Sequence, residues 1–126
     1  GGAVSGAGWP FVAAVVWVAL LVVAMCWAGV PESSFDRCLA AAPGADHVFL
    51  SFDSEAVDPA YAPGAGAHEP CGLSSRQAID CVKALAPRVD GFAVTEVNPM
   101  TDHKDLTSTL AAYLIFNFAL YKGCGV

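Results

Sequence analysis

Two short apolar runs set among helix-patterned segments leave this chain few folds. His47–Asp53 (HVFLSFD) is apolar and partly β-branched or aromatic, and reads as a strand buried on both faces. Val89 to Val97 reads as a second strand, which Pro99 prevents from continuing. Between them lies a long loop, Ser54 to Gly72, rich in Pro, Gly and Ala. A helix follows, capped by Ser74 or Ser75, with Ala78, Ile79, Val82 and Leu85 on one face; it runs to about Ala86, where Pro87 stops it. Asn98 to Lys104 forms a second loop. Asp105 or Thr107 caps a last helix that runs to about Tyr121 and ends before Gly123. Upstream, Pro31 to Ala42 reads as a short helix ended by Pro43-Gly44. Helices alternating with strands predict an α/β fold, a parallel sheet flanked by helices.

The first 30 residues stand apart. No side chain from Gly1 to Val30 is charged, and all three Trp fall there. Trp9 and Trp27 bracket an apolar run that as a helix spans roughly 27 Å, near a bilayer's hydrocarbon thickness. Two readings stay open for this leader: a transmembrane helix, which would make the protein membrane-associated, or a buried or non-native element, which leaves it cytoplasmic. The domain expectation is therefore 1–30 as leader and 31–126 as an α/β portion. Six Lys and Arg against twelve Asp and Glu give a formal charge of −6. That excludes a basic nucleic-acid-binding face, and the 56% hydrophobic content excludes disorder. Five scattered Cys, with no CxxC spacing, read as reduced and mostly buried thiols.

In parallel sheets ligands bind beyond the carboxyl ends of the strands. Asp53 and Glu55 close the first strand here and Glu96 closes the second. Side chains alternate along a strand, so Asp53 and Glu55 point the same way if extended backbone persists that far. Three carboxylates then converge at one rim, a donor set suited to hard divalent cations. The competing reading makes Asp53 the cap of a turn and the others solvated loop carboxylates.

These residues carry a family resemblance. Ser51-Phe-Asp-Ser-Glu-Ala-Val-Asp-Pro-Ala-Tyr-Ala-Pro-Gly64, followed by Gly72-Leu73, resembles the last signature of the ureohydrolases, the arginase, agmatinase and formiminoglutamase family. Glu96-Val97-Asn98-Pro99 resembles its second landmark, and residues 105–112 its C-terminal helix. The likeness runs from about Phe35 to Lys122. It implies an arginase-like α/β sandwich and hydrolysis of C–N bonds in a small linear amidine or guanidino compound. By position it implies that Asp53 bridges two Mn ions, that Glu55 ligates one of them, and that Glu96 pairs with the substrate guanidinium. A metal-bridging hydroxide would attack the amidine carbon. A carboxylate is the natural partner of a planar guanidinium, and anionic ligands are needed to hold two dications together.

The departures are specific. Ser54 stands where the family has an apolar residue, and Glu55 where it has Asp, which displaces the carboxylate by over about 1 Å. Cys71 replaces the first Gly of a Gly-Gly turn, disfavouring positive φ there. The family's upstream Gly-Gly-Asp-His and Asp-Ala-His-x-Asp motifs, with its catalytic His, do not occur in this sequence. The expectation is an incomplete domain with part of a binuclear site and no assigned catalytic residue. Of the three His, His47, His68 and His103, each reads as surface or capping. The alternative function is a non-catalytic, membrane-tethered binding module. Asp58-Pro59-Ala60 resembles agmatinases and residues 107–114 formiminoglutamases, so the substrate stays open. A partial sheet with exposed edges also invites homo-oligomers.

Overall fold

The computed structural model describes residues 47–68 and 70–124. The apolar leader and the helix expected over Pro31–Ala42 lie outside the described residues. Strand β1 spans Phe49–Asp53, helix α1 Ser75–Leu85, strand β2 Gly91–Thr95 and helix α2 Leu106–Cys124. Both strands are shorter than the apolar runs that announce them. Asp90 ends the second run's pairing on the N-terminal side, accepting the Val48 amide at 2.9 Å.

β1 and β2 pair in parallel, with Phe49 opposite Gly91 and Asp53 opposite Thr95. The parallel order follows from the helix between them, which returns the chain to the same edge. On one face Leu50 and Phe52 are fully buried; Phe49, Ser51 and Asp53, on the other, are half-buried. The expectation of a strand buried on both faces thus holds on one face among the described residues.

The helices cover that buried face. Phe52, Val57, Ala78, Val82, Leu110 and Leu114 form the main cluster; Leu50, Cys81, Leu85 and Val89 form a second. Phe92 and Phe118 stack with ring centroids 4.9 Å apart and pack against both. α1 buries Ala78, Cys81, Val82 and Leu85, whereas Ile79, expected on that face, is half-buried at its edge.

Ser74 caps α1 in a reciprocal capping box, taking the Gln77 amide at 3.2 Å while its own amide reaches Gln77 Oε1 at 2.9 Å. α2 is capped otherwise than expected. Asp102 accepts the Thr107 amide at 3.0 Å and the Ser108 amide at 2.8 Å. Lys104 and Asp105 take left-handed backbone, φ 51° and 57°, which folds Asp102 back onto the helix start. α2 also runs through Gly123, since an exposed final turn tolerates Gly at a cost of about 1 kcal/mol. It is apolar on its outer side as well: Tyr113, Ile115, Phe116 and Leu120 are exposed. Among the described residues no helix is long and apolar enough to cross a membrane. Cys71 is exposed and Cys81 buried, so the reading of mostly buried thiols fails at Cys71.

Candidate functional site

The parallel register sets the carboxyl ends of β1 and β2 at one edge, with Asp53 closing β1 and Glu96 immediately following β2. The extended backbone stops there. Ser54–Ala56 is a turn of 3-10 helix, and Asp53 is its cap, its Oδ1 accepting the Glu55 amide at 2.9 Å. The alternation that would aim Asp53 and Glu55 alike therefore does not apply. The turn-capping reading of Asp53 is the one the structure shows. Its second oxygen has no hydrogen bond among the described residues.

Glu55 and Glu96 both approach the loop after β1. Glu96 has φ 61°, a left-handed conformation uncommon for a side chain of this size. A Cβ built on Gly66 would lie 2.8 Å from Glu55 Oε1 and 3.3 Å from Glu96 Oε2. Each carboxylate thus lies near Gly66, whose lack of a side chain leaves room for both.

The loop carrying Gly66 is held on several sides. Gly64 donates its amide to Thr107 Oγ1 at 2.8 Å and accepts the Asn98 amide at 2.7 Å. Ala65 bridges to Val97, antiparallel. Asp58 accepts the amides of Ala60 at 2.9 Å and Cys71 at 3.0 Å, tying the two ends of the long loop together. Cys71 has φ 65°, so it adopts the conformation its side chain was expected to disfavour, at about 1–2 kcal/mol. Asp102, pressed against Gly64, is partly desolvated, which raises its carboxyl pKa. Hydrogen bonds from Ser108 and Thr107 outweigh that and bring it from 3.8 to about 2.

The histidines stay apart from this edge or serve structure. His47 precedes β1 at the other edge, 3.5 Å from Asp90. His68 Nε2 lies 2.8 Å from the Pro63 carbonyl oxygen. The His103 carbonyl accepts the Leu106 amide at 3.2 Å. Among the described residues no three His, Cys, Asp or Glu side chains are grouped so as to hold a metal ion. Of the three expected carboxylates, those of Glu55 and Glu96 both approach Gly66, and Asp53 caps the turn that follows β1. Gly66 and Asp102 escaped the sequence reading, and Thr107, expected as a helix cap, instead accepts the Gly64 amide. Only the Gly64-x-Gly66 spacing hinted at a close approach there.

A profile of the arginase family matches residues 20–121. The chain belongs to the arginase family. The match begins inside the apolar stretch that the sequence reading set apart. Over 79 residues the chain is 44% identical to the proclavaminate amidinohydrolase of Streptomyces clavuligerus, covering 57% of this chain and 25% of that protein. It is 40% identical over 74 residues to the human mitochondrial guanidino acid hydrolase, covering 58% and 21%. The crystal structure of formimidoylglutamase from Bacillus subtilis superposes with a TM-score of 0.69 at 28% identity, over 79% of this chain and 32% of that one. This arginase-family chain therefore spans about a quarter of the length of the curated relatives it matches.

Proposed function

We propose that the chain supplies the substrate-facing edge of a manganese-dependent hydrolase of guanidino or amidino compounds. One observation carries this reading. Glu96 follows β2 in a left-handed conformation, and its carboxylate opens at the strand ends beside Glu55, where a parallel sheet binds ligands. Strained backbone at such a place accords with a working residue. The names of the relatives, an amidinohydrolase and a guanidino acid hydrolase among them, supply the substrate class.

Glu96 receives the planar cation through paired N–H···O bonds. Gly66 leaves the approach open, and Asn98 and Thr107, through Gly64, hold the loop against it. Asp53 has the donor chemistry for a hard divalent ion, with one oxygen used by the Glu55 amide and one to offer. The described residues thus fit a share of a metal site. Bound manganese would supply Lewis-acid activation of water for attack on the amidine carbon. The resemblance also assigns Glu55 to the metal.

The test is a Mn2+ titration of the chain and its Asp53→Asn variant, with urea release from agmatine followed in excess Mn2+. The expected result is weak Mn2+ binding that Asp53→Asn reduces, and no urea release, since the described donors do not complete a shell. Mn2+ binding indifferent to Asp53→Asn would overturn the metal assignment. Urea release abolished by Asp53→Asn would show that the chain assembles a whole site.

A further inference from the structure

Helix α2 has two apolar sides, and the described residues cover only one of them. Thr107, Leu110, Leu114 and Asn117 are buried against the core. On its outer side Leu106, Thr109, Tyr113, Phe116 and Leu120 recur every three or four residues, which makes one stripe, and all are exposed among the described residues. No charged side chain interrupts the helix from Leu106 to Tyr121. A helix that is apolar all round is normally buried all round, so the stripe is a seat for another apolar element. We infer that its occupant is the uncharged segment of this same chain, residues 9–30, laid along the outer side of α2.

Three observations favour this occupant over a second copy of the chain or a bilayer. The first is where the chain enters. His47 Nδ1, at the start of the described residues, lies 3.5 Å from Asp90, and Lys122 Nζ, near the end of α2, lies 3.9 Å from the same carboxylate. Residues 31–46 therefore join the fold beside the C-terminal end of α2. Their extended reach of roughly 50 Å exceeds the stripe, which from Leu106 to Leu120 is about 21 Å long. A tether of this kind presents the segment at a roughly millimolar effective concentration, which a second copy in dilute solution does not match. The second observation is chemical: residues 1–30 carry no charged side chain and the stripe carries none, so their contact desolvates no ion. The third is that the arginase-family match, residues 20–121, takes in the later part of this segment together with α2 as far as Tyr121. Segment and helix thus fall in one family domain, whereas a membrane anchor would stand apart from it.

All three Trp of the chain, Trp9, Trp17 and Trp27, lie in this segment, so indole fluorescence reports on it alone. The experiment follows acrylamide quenching of the full chain across a dilution series, with sedimentation giving its mass, and with phosphatidylcholine vesicles absent or present. The unaltered chain is expected to keep its indoles protected as a monomer without vesicles. Phe116→Asp should abolish that protection and shift the emission to the red, and Tyr113→Asp should do the same. Tyr113 is 59% and Phe116 65% exposed, so α2 should keep its helical circular dichroism in either variant. If neither variant folds, nuclear Overhauser contacts from the indoles to the Tyr113 and Phe116 rings of the unaltered chain decide, and their absence would overturn the inference. Indoles protected equally in the parent and both folded variants would also overturn it. So would protection lost on dilution as a dimer separates, which gives the stripe to a second copy, or protection that requires vesicles, which gives the segment to the bilayer.

Discussion

Gly64 lies directly against Asp102: a Cβ added to Gly64 would come within 2.5 Å of the Asp102 Cβ and 2.8 Å of its Cα. This contact joins the loop after β1 to the start of α2, and through it the Gly66 approach is fixed relative to Glu96. The obstruction is backbone and stem, not a flexible end. Gly64→Ala is expected to destabilise the fold by about 2–3 kcal/mol, as overpacking does. Chemical denaturation measures it; a midpoint equal to that of the parent would show that loop and helix are not locked together.

Asp102 also makes a pH signature. Its carboxyl is lowered from 3.8 to about 2 in the folded protein, because bonds from Ser108 and Thr107 outweigh the opposing effect of desolvation. A depressed folded value contributes stability that is fully present above the unfolded pKa and is lost as pH falls through the folded one. Denaturant midpoints should therefore drop between about pH 4 and pH 2, and Asp102→Asn should flatten that drop while lowering stability at neutral pH. An acid limb equally steep in Asp102→Asn would contradict the capping role. Asp90, whose carboxyl is held low chiefly by the Val48 amide, acts in the same direction and is left intact in that variant.

Ser54 is buried with 4% of its surface exposed, and its hydroxyl has no hydrogen-bond partner among the described residues. The family pattern has an apolar residue there. An unpaired buried hydroxyl costs about 1–3 kcal/mol, so Ser54→Ala is expected to raise stability by about 1 kcal/mol. Thermal or denaturant unfolding reads this directly, and a loss of stability would mean that the hydroxyl has a partner.

Much of the fold was legible because its cues are local. Ser74 and Gln77 spell a capping box, Pro87 and Pro99 mark ends, and the β1 run Phe49–Asp53 is apolar enough to need burial. The parallel order followed from one intervening helix. What was not legible depends on contacts distant in sequence or on unusual backbone. Asp102 caps α2 only because Lys104 and Asp105 turn left-handed, and neither residue type announces that. α2 is apolar on both sides, so its periodicity did not say which face packs on the sheet. At the site, Glu96 and Asp53 were readable from their places at the strand ends. The approach of Glu55 and Glu96 to Gly66 was not, because it depends on the 3-10 turn after Asp53 and the left-handed backbone at Glu96.

The central claim is that a guanidinium binds at the carboxyl edge of β1 and β2, and mapping which amides move on adding methylguanidinium tests it most directly. The resonances of Glu55, Gly66, Glu96 and Val97 should shift together and saturate with one affinity, while those of Val48 and Asp90 at the opposite edge stay still. Saturable shifts centred on Asp90, or none at Gly66 and Glu96, would contradict the account.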